Sequence, residues 1–263
     1  MANVLVSETS LTNIANAIRT KNGTQTTYKP NEMATAISNI PSSVDVAATK
    51  AKFGFSKFSN VPSVFDFSNF STVTDASHLF YSCASLTTVP LFDTSNVTNM
   101  DHMFCDDIAL TTVPLFNTSS VIDMSNMFYA CDKLTTVPLF DTSSVTTMYF
   151  MFYACDELTT VPLFNTSSVT NMSYMFGRCN LLTTVPLFNT SSVTNMSNMF
   201  TSCPNLSDTS LNNILAMCIN ASSYTDTKTL SKLGFGSTNY PVSRIQGLSN
   251  YSAFINAGWT IGY

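Results

Sequence analysis

The sequence predicts an α/β fold made of one stacked unit: a right-handed solenoid with a parallel β-sheet on one wall and short helices on the other. A helical hairpin precedes it and a helical cap follows it. Three observations carry that prediction. The chain repeats every 24 residues, in blocks that begin at Leu86, Leu110, Leu134, Leu158 and Leu182, and it loses the pattern after Leu206. Each block reads L-T-T-V-P-L-F-[DN]-T-S-[SN]-V-x-x-M-x-x-M-F. Cysteines keep the same period: Cys131, Cys155, Cys179 and Cys203 are 24 apart, and Cys83 lies 48 before Cys131. A unit this short buries its apolar face only by stacking on its neighbours.

Residues 1–44 predict the helical hairpin. Leu11, Ile14, Ala15 and Ile18 fall on one helical face. Ser7 or Thr9 suits the start of that helix and Gly23 its end. A second helix opens with Pro30 in its first turn and carries Met33, Ile37 and Ile40 on one face. Leu11, Ile14, Ile18, Met33 and Ile37 are therefore candidate docking residues, with a plain end cap as the alternative. Residues 45–60 read as a connector and 61–205 as the repeat array, whose first copy (Val61–Ser85) is degenerate as terminal repeats tend to be.

Within a full repeat, Leu at positions 1 and 6 with Val at 4 is the leucine-rich-repeat signature for periods of roughly 20–29 residues. L-T-T-V-P-L is the predicted strand, with Leu86, Val89 and Leu91 facing inward in the first copy. Pro90 has no N–H, so it requires a break in the ladder. Asp93, Asn117, Asp141, Asn165 and Asn189 precede Thr-Ser and read as Asx turns or helix caps. Val97, Met100, Met103 and Phe104 have helical spacing, which predicts one or two helical turns on the opposite wall. Residues 206–263 read as the C-terminal cap, with Leu211, Ile214, Leu215, Cys218 and Ile219 on one helical face and short helices near 225–234 and 249–257.

The net charge is −5 and only 10% of residues are charged. There is no basic stripe to track phosphates, so no nucleic-acid partner is expected. No stretch of about 18 apolar residues is present, so no membrane insertion is expected. The N-terminal MANVLVSETS lacks the parts of an export signal, which predicts a protein outside the ordinary secretory route. The in-phase cysteines predict a buried ladder of unpaired thiols rather than disulfides. Cys105 is two residues out of phase.

Asp93–Phe104, D-T-S-N-V-T-N-M-D-H-M-F, and its near copies resemble the BspA-like leucine-rich repeats of bacterial surface proteins. Relative to that pattern two residues are missing between Leu91 and Phe92, and Pro stands where Asp is usual. The resemblance implies a repeat fold used for binding. Leu11–Thr24, L-T-N-I-A-N-A-I-R-T-K-N-G-T, with Y-K-P-N-E-M at Tyr28–Met33, is similar to the start of tail and baseplate proteins from phages of Gram-positive hosts. The ending G-L-S-N-Y-S-A-F-I-N-A-G-W-T-I-G-Y resembles endings of such proteins. These ends imply a virion protein of the tail or baseplate that docks to its neighbours through residues 1–44.

Variation between repeats is concentrated after the Val. One column runs His78, His102, Asn126, Phe150, Tyr174, Asn198; the next runs Ser77, Asp101, Ser125, Tyr149, Ser173, Ser197; a third runs Tyr81, Cys105, Tyr129, Tyr153, Gly177, Thr201. Tyr149, Phe150, Tyr153 and Tyr174, with His102 and Tyr129, are the candidate ligand-binding residues, since rings on a rigid face suit sugars or a protein surface. The expected partner is a host-surface glycan or protein. A second candidate stripe is Phe92, Phe116, Phe140, Phe164 and Phe188, inward by the repeat-family pattern and available to ligand if outward. His78 and His102 are in phase, but no carboxylate or cysteine stands at ligand spacing in the sequence, so neither metal nor cofactor is predicted. Asp132, Asp156 and Glu157 lie near loop apices without a cleft, and no nucleophile elbow or phosphate loop occurs. The expectation is therefore a non-catalytic binding protein. The alternatives are a bacterial cell-surface adhesin and, third, a glycan-cleaving virion enzyme.

Overall fold

The computed structural model describes Phe67 and residues 70–263. The predicted hairpin at 1–44, with Leu11, Ile14, Ile18, Met33 and Ile37, and the connector at 45–60 lie outside the described residues. From Phe70 onward the chain forms 24-residue coils laid one on another; Asp75, Asn99, Asp123, Thr147, Asn171 and Asn195 pair in series across coils, and Thr160 pairs with Thr184.

The right-handed leucine-rich-repeat solenoid with a parallel β-sheet is not what these residues build. Among the described residues there is no β-strand and no sheet, only isolated parallel bridges between one coil and the next. The three α-helices among the described residues, α1 (Asp208–Asn220), α2 (Val242–Gln246) and α3 (Tyr251–Asn256), follow the repeats. No helix forms at V-x-x-M-x-x-M-F.

The backbone hydrogen bonds explain both corrections. In L-T-T-V-P-L the inter-coil bonding reduces to isolated contacts, such as Thr111 N–H to the Thr87 carbonyl at 3.2 Å. Pro114 then accepts from the Phe116 amide at 3.0 Å, and the same bond recurs at Pro138–Phe140 and Pro162–Phe164. This three-residue turn reverses the inside–outside order. Its central leucine is thrown outward: Leu115, Leu139 and Leu163 are 59–61% exposed, and the equivalent Leu91 and Leu187 are exposed too. Leu91 is thus not the inward residue that the strand pattern predicts. The phenylalanine after each takes the interior, so Phe92, Phe116, Phe140, Phe164 and Phe188 are buried.

The opposite wall is a ribbon of tandem turns. Met103, Cys105 and Asp107 amides bond to carbonyls three residues back, while Met100, His102, Phe104 and Asp106 amides donate to Asp123, Ser125, Met127 and Tyr129 carbonyls of the next coil. Local turn and inter-coil bond alternate residue by residue, so the amides in this stretch are satisfied without helix or sheet. The ribbon places Met100, Met103, Phe104 and Asp107 inside. That spacing is also helical, which is why the sequence pattern reads as a helix.

Each coil buries apolar columns continuous with its neighbours'. Phe80, Phe104, Phe128, Phe152, Phe176 and Phe200 form one stack with centroids 5.3–5.8 Å apart. Full burial of such a side chain contributes about 1.5–3 kcal/mol. All seven cysteines are buried and unpaired. Cys131, Cys155 and Cys179 thiols donate to Phe104, Phe128 and Phe152 carbonyls at 3.0–3.1 Å, and burial pushes these thiols well above their ordinary range. Asx turns close at Asp93, Asn117, Asp141, Asn165 and Asn189, each side chain accepting from the serine amide two residues on. The buried Thr94, Thr118, Thr142 and Thr166 hydroxyls donate across to the next coil at 2.8 Å.

The C-terminal residues supply what a further coil would. Asn198 and Phe200 amides donate to Lys232 and Leu233 carbonyls, and the Thr190 hydroxyl to Met217. Gly234 makes that approach possible: its φ is +93°, and a Cβ there would lie 2.5 Å from the Thr201 backbone nitrogen. Ser207 caps α1, whose Leu211, Ile214, Leu215 and Cys218 pack onto the core, while Ile219 is only partly buried. The predicted helix at 225–234 is reduced to a 3-10 turn at Ser231–Leu233.

Turning the ribbon requires left-handed backbone twice per coil, and no glycine supplies it in the repeats. His78, Ser82, His102, Asp106, Asn126, Ala130, Phe150, Ala154, Tyr174, Arg178, Asn198 and Ser202 all have φ of 53–63°. Asn, Asp and His tolerate this region; alanine and aromatics are strained there by roughly 1–2 kcal/mol. Ala154→Gly is therefore expected to stabilise the protein by about 1 kcal/mol, opposite to the usual effect of glycine. Urea midpoints compare the two proteins. A lower midpoint for the glycine variant would refute the strain argument.

Candidate functional site

The first variable column lies on left-handed positions: His78, His102, Asn126, Phe150, Tyr174 and Asn198 share φ of 54–57°. Backbone preference thus accounts for histidine and asparagine at four of the six, but not for Phe150 and Tyr174. Those two rings stack at 4.5 Å and 5°. Beside them Tyr129 and Tyr153 stack at 5.1 Å and 14°. Phe150 joins the two stacks, 4.9 Å from Tyr153 and 5.9 Å from Tyr129. Tyr149 meets the face of Phe150 edge-on at 4.3 Å and 87°. Tyr149 is exposed and the other four are half-buried. Five rings from three coils form one aromatic ledge.

Two residues of the variable columns that are not among the candidates hold the ledge. Gly177 stands where the column would otherwise continue with a side chain, and a Cβ there would lie 2.7 Å from the Tyr153 ring. The missing side chain leaves the place that Tyr153 fills. Asn198 donates from Nδ2 to the Tyr174 hydroxyl at 2.9 Å, fixing that ring from the next coil. Burial, with Tyr153 and Asp106 beside it, raises the Tyr129 hydroxyl, so it stays protonated and able to donate.

His102 is not part of this group. It stacks on His78 at 4.7 Å and 10°, and its Nδ1 lies 2.8 Å from Asp101 Oδ1. Asn126 donates to the same carboxylate oxygen at 3.2 Å. One donor atom from each of His78, Asp101 and His102 lies within 4.8 Å of the others. A carboxylate therefore does accompany the two histidines, contrary to the reading from sequence. It was missed because Asp101 is the immediate neighbour of His102, where ligand spacings within helices and strands are not sought.

The acidic apex residues stand in rows. Burial, and then the charge of Asp156, raises the Asp132 carboxyl; Asp156 accepts from Asn180 at 2.9 Å, and Glu157 pairs with Lys133. No described helix is long and apolar enough to cross a membrane.

No curated protein matches the chain. A family described as Mycoplasma protein of unknown function, DUF285, matches residues 49–160 and again 130–230. That family is associated with BspA-like repeat proteins. The two matches overlap within the coils that carry the ledge and together span well over half of the sequence; the chain belongs to the DUF285 family.

Proposed function

We propose that this is a non-catalytic binding protein of a phage tail or baseplate, and that its aromatic ledge stacks on the sugar rings of a host-surface glycan. The observation that carries the reading is the pair Phe150 and Tyr174. Both rings are kept at backbone positions that disfavour them, and both stay partly open to solvent. Strain retained at a surface position is a recurring mark of a functional site. Flat rings with hydroxyls at their edges give apolar contact to a sugar face and hydrogen bonds to its substituents. The phage assignment rests on the likeness of Leu11–Thr24 and of the C-terminal segment to tail proteins. The repeat-family association favours, as a second reading, a bacterial cell-surface adhesin. Fractionation separates the two: the protein co-purifies with particles in one case and with cell envelopes in the other.

The test is the double variant Phe150→Asn with Tyr174→Asn. Asparagine already fills the equivalent positions 126 and 198. Binding to Gram-positive cells and to their purified wall polysaccharides is expected to fall at least about tenfold. The melting temperature is expected to hold or rise. The matched control on another face is Thr136→Ala with Thr160→Ala, both exposed residues. Equal binding by the two double variants would reject the ledge. Loss confined to protease-treated cells, with polysaccharide binding unaffected, would replace the glycan with a protein.

A further inference from the structure

We propose that His78, Asp101 and His102 form a binding site for a borderline first-row divalent cation of the Zn²⁺ or Ni²⁺ kind, separate from the aromatic ledge. The chain has only two histidines, and the fold brings both together from adjacent coils. Left-handed backbone explains a histidine or an asparagine at either position. It does not explain the carboxylate between them. The column that holds Asp101 otherwise carries Ser77, Ser125, Tyr149, Ser173 and Ser197, so this is the one level of the described face where two imidazoles and an acid coincide.

Two imidazoles and a carboxylate make a donor set suited to zinc and nickel rather than to calcium or magnesium, which prefer oxygen alone. Zinc needs its donors at about 2.0–2.2 Å. The three donor atoms already lie within 4.8 Å of one another, and the side chains are exposed or half-buried, so small rotations bring them into range. Asp101 Oδ1 and His102 Nδ1 lie 2.8 Å apart, within hydrogen-bond reach when Nδ1 carries the hydrogen. On binding, neutral His102 takes the tautomer with its hydrogen on Nε2, Nδ1 gives its lone pair to the cation beside the carboxylate, and the His78 ring tilts from its stacked position to supply the third donor. Water completes the coordination. Asn126, which donates to the same carboxylate from the next coil, anchors Asp101 in place.

The experiment uses the full chain freed of any affinity tag, titrated calorimetrically with ZnCl₂, NiCl₂ and CaCl₂. One Zn²⁺ and one Ni²⁺ per chain are expected in the micromolar range, with no uptake of Ca²⁺. His78→Asn and His102→Asn keep a residue that the column already uses at 126 and 198, and each is expected to weaken Zn²⁺ at least tenfold. Asp101→Ser, the residue at 77 and 125, is expected to weaken it severalfold. Melting curves without metal should match the parent protein for all three. Undiminished Zn²⁺ binding in the double histidine variant would place the ion elsewhere and overturn the proposal. Absence of Zn²⁺ binding in the folded parent protein would overturn it as well.

Discussion

Asp107→Cys is expected to raise stability at neutral pH by several kcal/mol and to flatten its pH dependence. Asp107 occupies the column otherwise held by Cys83, Cys131, Cys155, Cys179 and Cys203. It is fully buried; its Oδ1 accepts from the Cys83 amide at 2.6 Å, while its Oδ2 has no partner. Burial pushes this carboxyl up to about 9; the Cys83 bond opposes the rise and the charge of Asp106 adds to it. The unfolded chain ionises it near pH 3.9. Its folded value is the higher one, so the favourable protonated state is intact below about pH 4. Stability is then lost as pH climbs towards about 9, by about 1.4 kcal/mol per unit. By pH 7 the loss is on the order of 4 kcal/mol. A thiol in that place would donate to the Phe80 carbonyl, as its neighbours do one coil on. Urea unfolding at pH 4.5, 6 and 7.5 distinguishes the two proteins, below the range where the unfolded chain's cysteines ionise and the buried thiols weaken both alike. The parent should weaken steadily across these values, whereas the variant should keep only the small slope that Asp132 contributes. Asp93 and Asp141, whose carboxyls are lowered by bonds from Ser95 and Ser143, act below this window. Parallel profiles would show that Asp107 is ionised in the folded protein.

Phe152→Ala is expected to cost about 3–5 kcal/mol. The ring is fully buried mid-stack, between Phe128 at 5.6 Å and Phe176 at 5.8 Å. Coils touch only their neighbours, so nothing distant compensates for the cavity. Urea midpoints measure the cost. The contrast is Phe150→Asn, two residues away, where the ring is half-buried and left-handed backbone is relieved. A cost below about 1 kcal/mol at Phe152 would mean that the stack collapses around the gap.

What the sequence made legible was periodicity and burial. The Val, Met, Phe and Cys columns, the Asx turns and the inward face of α1 all follow from spacing alone. The local conformation did not. Met100, Met103, Phe104 and Asp107 have the same spacing in a ribbon of four-residue turns as in a helix, and eight residues are too few to separate the two. Leu91 alternates correctly for a strand yet is exposed, like its equivalents Leu115, Leu139 and Leu163, which a turn closed by the proline carbonyl sends outward. The left-handed positions gave no glycine signal, because alanine, tyrosine, phenylalanine and arginine occupy some of them. The candidate ledge was visible as variation between repeats, but the role of Gly177 beside Tyr153 was not, and neither was the meeting of Asp101 with both histidines, because it is the immediate neighbour of one of them.

The alternation of local turn and inter-coil bond has a consequence for heredity. Each coil offers its successor the same donors, acceptors and buried columns that it took from its predecessor. A duplication or loss of one whole 24-residue unit therefore preserves every class of contact at the new junction, whereas a shift of a single residue breaks them all. A gene with near-identical tandem segments is prone to such whole-unit changes. Length, and with it the distance between the histidine pair and the terminal helices, is then a quantity that recombination can reset in steps without redesigning the core.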